Sequence, residues 1–166
     1  HDESFQVLDL MISMVKHQLD KRTITAIVDA LIDMYTMRNK TYKSSKKTFI
    51  SILFNQDLME SPVNFCYIQT VIDQCLLDLP EVEVAPDCRE NKKAVLQKGF
   101  YYERLNFLCD FLGSASDKHY GIFASLLKNA RFLTKVSLLQ KNGNSKVRMK
   151  GLEILRILSE FFDKLF

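Results

Sequence analysis

A chain of 166 residues with 47% apolar and 26% charged residues, but only five Gly and three Pro, has material for a sizeable core and too few turn formers for a sandwich of short strands or a disordered linker. No apolar run reaches the roughly 18 residues that suggest a membrane span, and the N-terminus lacks the basic-then-apolar layout of a signal peptide. A soluble protein without a membrane partner is expected, and its net charge of +3 is mild but unevenly spread.

Phe5, Leu8, Ile12, Val15 and Leu19 recur at spacings of three and four, with Leu10 and Met11 widening the stripe, which predicts a helix over residues 4–19. Asp20 is placed to cap a second helix carrying Ile24, Ile27, Val28, Leu31 and Tyr35, an antiparallel partner to the first. Ser44 or Ser45 opens a third, with Phe49, Ile52 and Leu53, reaching residue 55. Ser61 followed by Pro62 is a start signal for a fourth, since proline's missing N–H costs nothing at the first helical position. That helix carries Phe65, Ile68, Ile72, Cys75, Leu76 and Leu79 until Pro80 stops it, and residues 80–90 form an acidic loop. A fifth helix over 91–112 holds Val95, Phe100, Leu105, Leu108, Cys109 and Leu112 and ends at Gly113.

Ser114 or Ser116 caps a sixth, with Ile122, Phe123, Leu126 and Leu127, and a short seventh holds Phe132, Leu133, Val136 and Leu139. Asn142-Gly143 is expected to supply a left-handed residue, after which Asn144 or Ser145 begins the last helix. There Val147, Ile154, Leu155, Leu158, Phe161, Phe162 and Leu165 should face inward, opposite Lys146, Lys150, Glu153, Glu160 and Lys164. No sustained period-two alternation occurs, so the fold class is all-α: about seven to eight helices in antiparallel pairs, in a single domain over 1–166. His1 in place of Met, and an apolar C-terminal end, read as the cut ends of a longer chain.

The four cysteines, Cys66, Cys75, Cys88 and Cys109, form neither close metal-binding pairs nor a dense disulfide framework, which points to a reducing compartment, cytoplasm or nucleus. Cys109 and His119 could be imagined as a thiol nucleophile and its base, but Cys109 lies inside an apolar run, where a thiol is ordinarily a small core residue. His17, near the end of the first helix, needs no role beyond a favourable interaction with the helix terminus. With no phosphate loop, metal-ligand spacing or nucleophile elbow in the sequence, no catalytic residue, cofactor or metal is assigned and a non-enzymatic role is expected. Exposed methionines at helix edges are expected at Met37 and Met149.

Charge is the remaining signal. From Lys118 to Arg156 nine Lys and Arg residues face the single acid Glu153, and residues 34–56 hold no acid at all. The first stretch offers a partner-binding set, Lys128, Arg131, Lys135, Lys146, Arg148 and Lys150, suited to a protein or acidic peptide. The second offers a nucleic-acid alternative at Arg38, Lys40, Lys43, Lys46 and Lys47, with Tyr35 and Tyr42 nearby for stacking. Self-association through the apolar C-terminal helix is a third possibility.

The segment 138–155 resembles the turn and second helix of a HEAT or armadillo-like repeat: a leucine-rich helix, a polar turn, Val147-Arg148, the small residue Gly151, then an apolar helix. The likeness covers about one repeat. It implies a right-handed superhelix, or an irregular bundle of the same helices, acting as a protein-protein interaction scaffold or adaptor within a larger eukaryotic protein. Helical-repeat domains of translation and RNA-processing scaffolds are similar in design, and imply RNA or DNA binding as the alternative.

Overall fold

The computed structural model describes residues 3–17, 20–41, 46–78 and 92–165, and every regular element among them is helical. The protein is all-α. It forms two compact units, His1–Gln74 and Cys75–Phe166.

In the first unit, α1 (Glu3–Lys16) buries Leu8, Ile12 and Val15, and α2 (Lys21–Thr41) buries Ile24, Val28, Leu31 and Tyr35. Asp20 caps α2 as expected: its carboxylate accepts from Arg22 N at 3.1 Å and Thr23 Oγ1 at 3.0 Å. The short α3 (Lys46–Leu53) sends Phe49 edge-on against Tyr35, ring centroids 5.4 Å apart. Its serine caps, Ser44 or Ser45, lie outside the described residues.

Instead of running to residue 55, α3 stops where Asn55 turns its side chain on the following segment. Asn55 Oδ1 accepts from Leu58 N at 3.1 Å and starts α4 (Gln56–Met59). The Ser61-Pro62 signal is displaced by two residues. Ser61 Oγ accepts from Val63 N, and the Asn64 amide donates to Met59 O, so these residues close a turn and α5 begins at Asn64 (Asn64–Ile72). Tyr67 ties α5 to the end of α3 by donating to Leu53 O at 3.0 Å, and burial pushes its phenol pKa well above the ordinary value. Beyond Ile72 the backbone widens into a π turn, Asp73–Leu77, with Gln69 Nε2 donating to Asp73 Oδ1. The acidic loop 80–90, including Cys88, lies outside the described residues.

In the second unit, α6 (Lys92–Gly113), α7 (Tyr120–Leu127) and α8 (Ala130–Leu139) all pack on α9 (Ser145–Leu165). An aromatic series runs through its centre: Phe107 to Phe111 (5.9 Å), Phe111 to Phe123 (6.2 Å), Phe123 to Phe161 (5.6 Å) and Phe161 to Tyr120 (4.6 Å). Gly113 is the last residue of α6 and is not left-handed; Ser114 Oγ donates to Asp110 O and finishes the turn. Ser116 begins the 3₁₀ turn Asp117–His119 that leads into α7, and Asn129 caps α8 by accepting from Arg131 N at 2.8 Å.

On α9, Val147, Ile154, Leu158 and Phe161 are buried as expected, together with Gly151 and Ile157. Leu155 is 39% exposed and Phe162 only half-buried, whereas Lys150, expected on the solvent side, has a side chain 16% exposed. The side chain of Leu165 lies outside the described residues.

Candidate functional site

The α8–α9 connection is made by side chains, not by a left-handed glycine: no described residue has positive φ. Asn142 Oδ1 accepts from Asn144 N and Asn144 Oδ1 from Lys146 N, both at 2.9 Å, so two successive asparagine turns close one helix and cap the next. Arg148 reaches back and donates from Nη1 to Asn142 O at 2.8 Å. The Val-Arg pair therefore has a local task, in which the arginine holds the turn that precedes it.

Gly151 sits where α8 comes closest. A Cβ there would stand 3.0 Å from Leu139 Cβ and 2.5 Å from Gln140 Nε2, and this Gln140 amide nitrogen is buried without a hydrogen-bond partner. The absence of a side chain at 151 favours this close approach of the two helices, since even a Cβ would crowd Leu139 and displace the Gln140 amide.

Of the six basic residues expected to bind a partner, the structure uses several internally. Lys150 Nζ contacts Glu153 Oε2 at 3.1 Å and lies 5.7 Å from the centre of the Tyr102 ring, with Lys146 Nζ 5.9 Å from the same ring. Burial works against the Lys150 ammonium, but the hydrogen bond and charge of Glu153 outweigh it and hold its pKa above the ordinary value. Arg131 donates to Leu77 O at 3.2 Å and Asp78 Oδ1 at 3.3 Å. Lys135 and Arg148 are half-buried, while Lys128 and Lys146 are exposed, as is Lys141 in the turn, which the sequence reading did not single out. Tyr102 was also missed. Lysines one turn apart at 146 and 150 signal a common face, but nothing in the sequence pairs that face with α6.

The nucleic-acid set is only partly within view. Lys47 is exposed and Lys46 half-buried in the first turn of α3, whereas the side chains of Arg38 and Lys40, and all of Lys43, lie outside the described residues. Met37 and Met149 are both exposed, as expected.

Cys109 is hydrogen-bonded across to α9 and His119 within its own turn. The buried Cys109 thiol donates to Lys150 O at 3.7 Å, and burial followed by the charge of Glu153 pushes its pKa up to about 12, so it stays protonated at neutral pH. His119 takes the place that Glu or Gln holds in a capping box. Its Nδ1 accepts from Ser116 N at 3.2 Å and lies 3.2 Å from Ser116 Oγ. Burial, and then Lys118, lower its pKa from the ordinary 6.5.

The folded chain thus resists a proton that the unfolded chain accepts. This contribution to stability is complete above pH 6.5 and is lost as pH falls from there toward the lower folded value. Urea midpoints measured from neutral pH down to about 5 should decline in this window, and His119→Gln, which keeps an acceptor without a titrating ring, should flatten the decline. An unchanged pH profile in that variant would show that His119 is not the group responsible.

Among the described residues no group of His, Cys, Asp or Glu is arranged to hold a metal ion, and no helix is long and apolar enough to cross a membrane. Fold and surface together define an all-α protein that leaves basic and apolar side chains exposed on and around α8 and α9. No protein family, curated protein or solved structure matches the chain.

Proposed function

We propose that the chain is a non-enzymatic, HEAT/armadillo-like interaction module, an adaptor within a larger eukaryotic protein of the cytoplasm or nucleus, whose α8–α9 face receives an acidic peptide segment. One observation carries this reading. Residues 128–152 hold seven Lys and Arg and no acid, and within that stretch Leu138 and Met149 stand exposed beside Lys141 and Lys146. Positive charge accelerates encounter with an acidic segment, and exposed apolar side chains give the docked segment something to bury. Close packing at Gly151 supports the repeat-like reading, because a rigid helix pair presents its outer residues in fixed positions.

The test is fluorescence anisotropy with a labelled acidic amphipathic peptide and, separately, a labelled single-stranded oligonucleotide, each titrated over a range of salt. Charge reversal at the exposed Lys128, Lys141 and Lys146 should weaken peptide binding about tenfold or more and flatten its salt dependence. Peptide affinity indifferent to both salt and the triple reversal removes the α8–α9 site. An oligonucleotide bound more tightly than the peptide, with a steep salt dependence lost on reversing Lys46 and Lys47, would put nucleic acid in its place.

A further inference from the structure

A side-chain amide is open to intramolecular attack where the next residue is glycine, because no Cβ keeps the following backbone nitrogen from the carboxamide carbon. The attack also needs the backbone to rotate between the two groups, and a helix, with its dihedral angles fixed, forbids that rotation. Of the asparagines the structure describes, Asn39, Asn55, Asn64, Asn106, Asn129 and Asn144 are each followed by a helical residue. Asn142 alone among them precedes a residue outside any helix, and that residue is the exposed Gly143.

We infer that Asn142 is a site of spontaneous deamidation, and that the turn around it steers the product toward isoaspartate. Gly143 N attacks Asn142 Cγ and gives up its proton; the bond from Cγ to the side-chain nitrogen breaks, and ammonia leaves behind a five-membered succinimide ring. Water then opens the ring. Attack at Cγ restores the ordinary backbone and leaves aspartate. Attack at the backbone carbonyl carbon instead frees that group as a carboxylate and routes the chain through the former side chain, which is isoaspartate. In sum one water is consumed and one ammonia released, with no oxidant or reductant. Each of the two carbonyl groups has its own donor. Asn144 N donates to Asn142 Oδ1 at 2.9 Å, where charge develops as the ring closes, and Arg148 Nη1 donates to Asn142 O at 2.8 Å, where charge develops as water attacks the backbone carbon. Arg148 thereby favours the isoaspartyl route, and the oxygen it already holds becomes part of the new carboxylate, so the product gains an ion pair. Both bonds are local, spanning two and six residues, and such bonds are weak enough in net terms to yield to the rotation that closes the ring. The new charge falls within residues 128–152, which hold seven Lys and Arg and no acid. It alters the surface on which the peptide-binding reading rests without depending on that reading.

Ageing the full chain at neutral pH in heavy-oxygen water tests this, with a synthetic peptide of residues 138–150 aged alongside as the unfolded reference. Mass spectrometry reads the conversion and the solvent oxygen taken up, and enzymatic methylation specific to isoaspartyl carboxylates reads the isoaspartate share. Asn142 should convert within about tenfold of the peptide's rate, while the six other described asparagines stay intact over the same period. Gly143→Ala should slow conversion about tenfold, because its Cβ hinders the approach of the nitrogen. The folded chain should yield a larger isoaspartate share than the peptide, and Arg148→Ala should bring that share down to the peptide's without stopping conversion. An Asn142 that stays intact in the chain while the peptide converts overturns the site. An isoaspartate share no larger than the peptide's, or one unmoved by Arg148→Ala, overturns the steering by Arg148.

Discussion

Replacing Phe123 by alanine is expected to destabilise the protein by about 3–5 kcal/mol, the usual cost of emptying a buried phenylalanine site. Phe123 is fully buried and lies between Phe111, centroids 6.2 Å apart and tilted, and Phe161, stacked at 5.6 Å. It thereby joins α7 to both α6 and α9. The substitution removes the transfer free energy of the ring and also leaves a cavity walled in part by rigid rings on two other helices, so the site closes poorly. Ring-to-ring contacts add their own increment, about 0.5–1.5 kcal/mol for a well-oriented pair. Against a total stability of about 5–15 kcal/mol for a natural domain, this brings the second unit near its unfolding threshold at ordinary temperature. Urea unfolding followed by circular dichroism measures the change, and Phe123→Leu, which keeps most of the volume, should cost clearly less. A loss below about 1 kcal/mol for Phe123→Ala would show that this aromatic series is not the core of the unit.

A graded series at Gly151 should separate helix propensity from helix approach. In a helix interior alanine is favoured over glycine by about 1 kcal/mol, yet the new Cβ at 151 would meet Leu139 Cβ at 3.0 Å and the Gln140 amide at 2.5 Å. The amide is the end of a flexible side chain and can swing aside, whereas a Cβ moves only with its backbone. Gly151→Ala is therefore expected to change stability by no more than about 1 kcal/mol, the propensity gain opposing the crowding. Gly151→Leu has no such offset. Its side chain must push α8 away from α9 and should cost about 1–3 kcal/mol or more. The same denaturant titration reads both variants. Gly151→Leu as stable as the wild type would mean that α8 does not approach α9 at this point.

The helices themselves were legible because each depends on neighbours three and four positions away. The stripes Leu8, Ile12, Val15 and Ile154, Leu158, Phe161 are buried as the spacing predicts. Asp20 also stands where a local rule puts it, since a cap acts on backbone groups two or three residues on, and Ser116 opens the turn into α7 with its N–H donating to the His119 ring. Local reading failed where two local solutions compete. Asn142-Gly143 permits a left-handed residue, but Asn142 and Asn144 satisfy the free backbone N–H groups with their side chains, and the backbone stays at negative φ. Ser61-Pro62 likewise became part of a turn, because Asn64 bonds back to Met59.

The candidate site was legible as a composition and illegible as a surface. A stretch rich in lysine and arginine with one acid can be counted in the sequence, but exposure depends on what each side chain meets. Lys150 was expected outside because it is charged; in the fold Glu153 neutralises it and the Tyr102 ring covers it, and both are needed before an ammonium tolerates such burial. Leu155 was expected inside because it is apolar, yet it stands at the rim of the buried stripe.

The sequence by itself determined the all-α class, the buried stripe of most helices and caps such as Asp20, because hydrophobic period and backbone satisfaction act over a few residues. Tertiary structure decided which cations remain at the surface, why Gly151 has no side chain and which apolar residues of α9 stay uncovered. Those outcomes depend on contacts such as Tyr102 with Lys150, or Leu139 with Gly151, whose partners are brought together by the packing of separate helices.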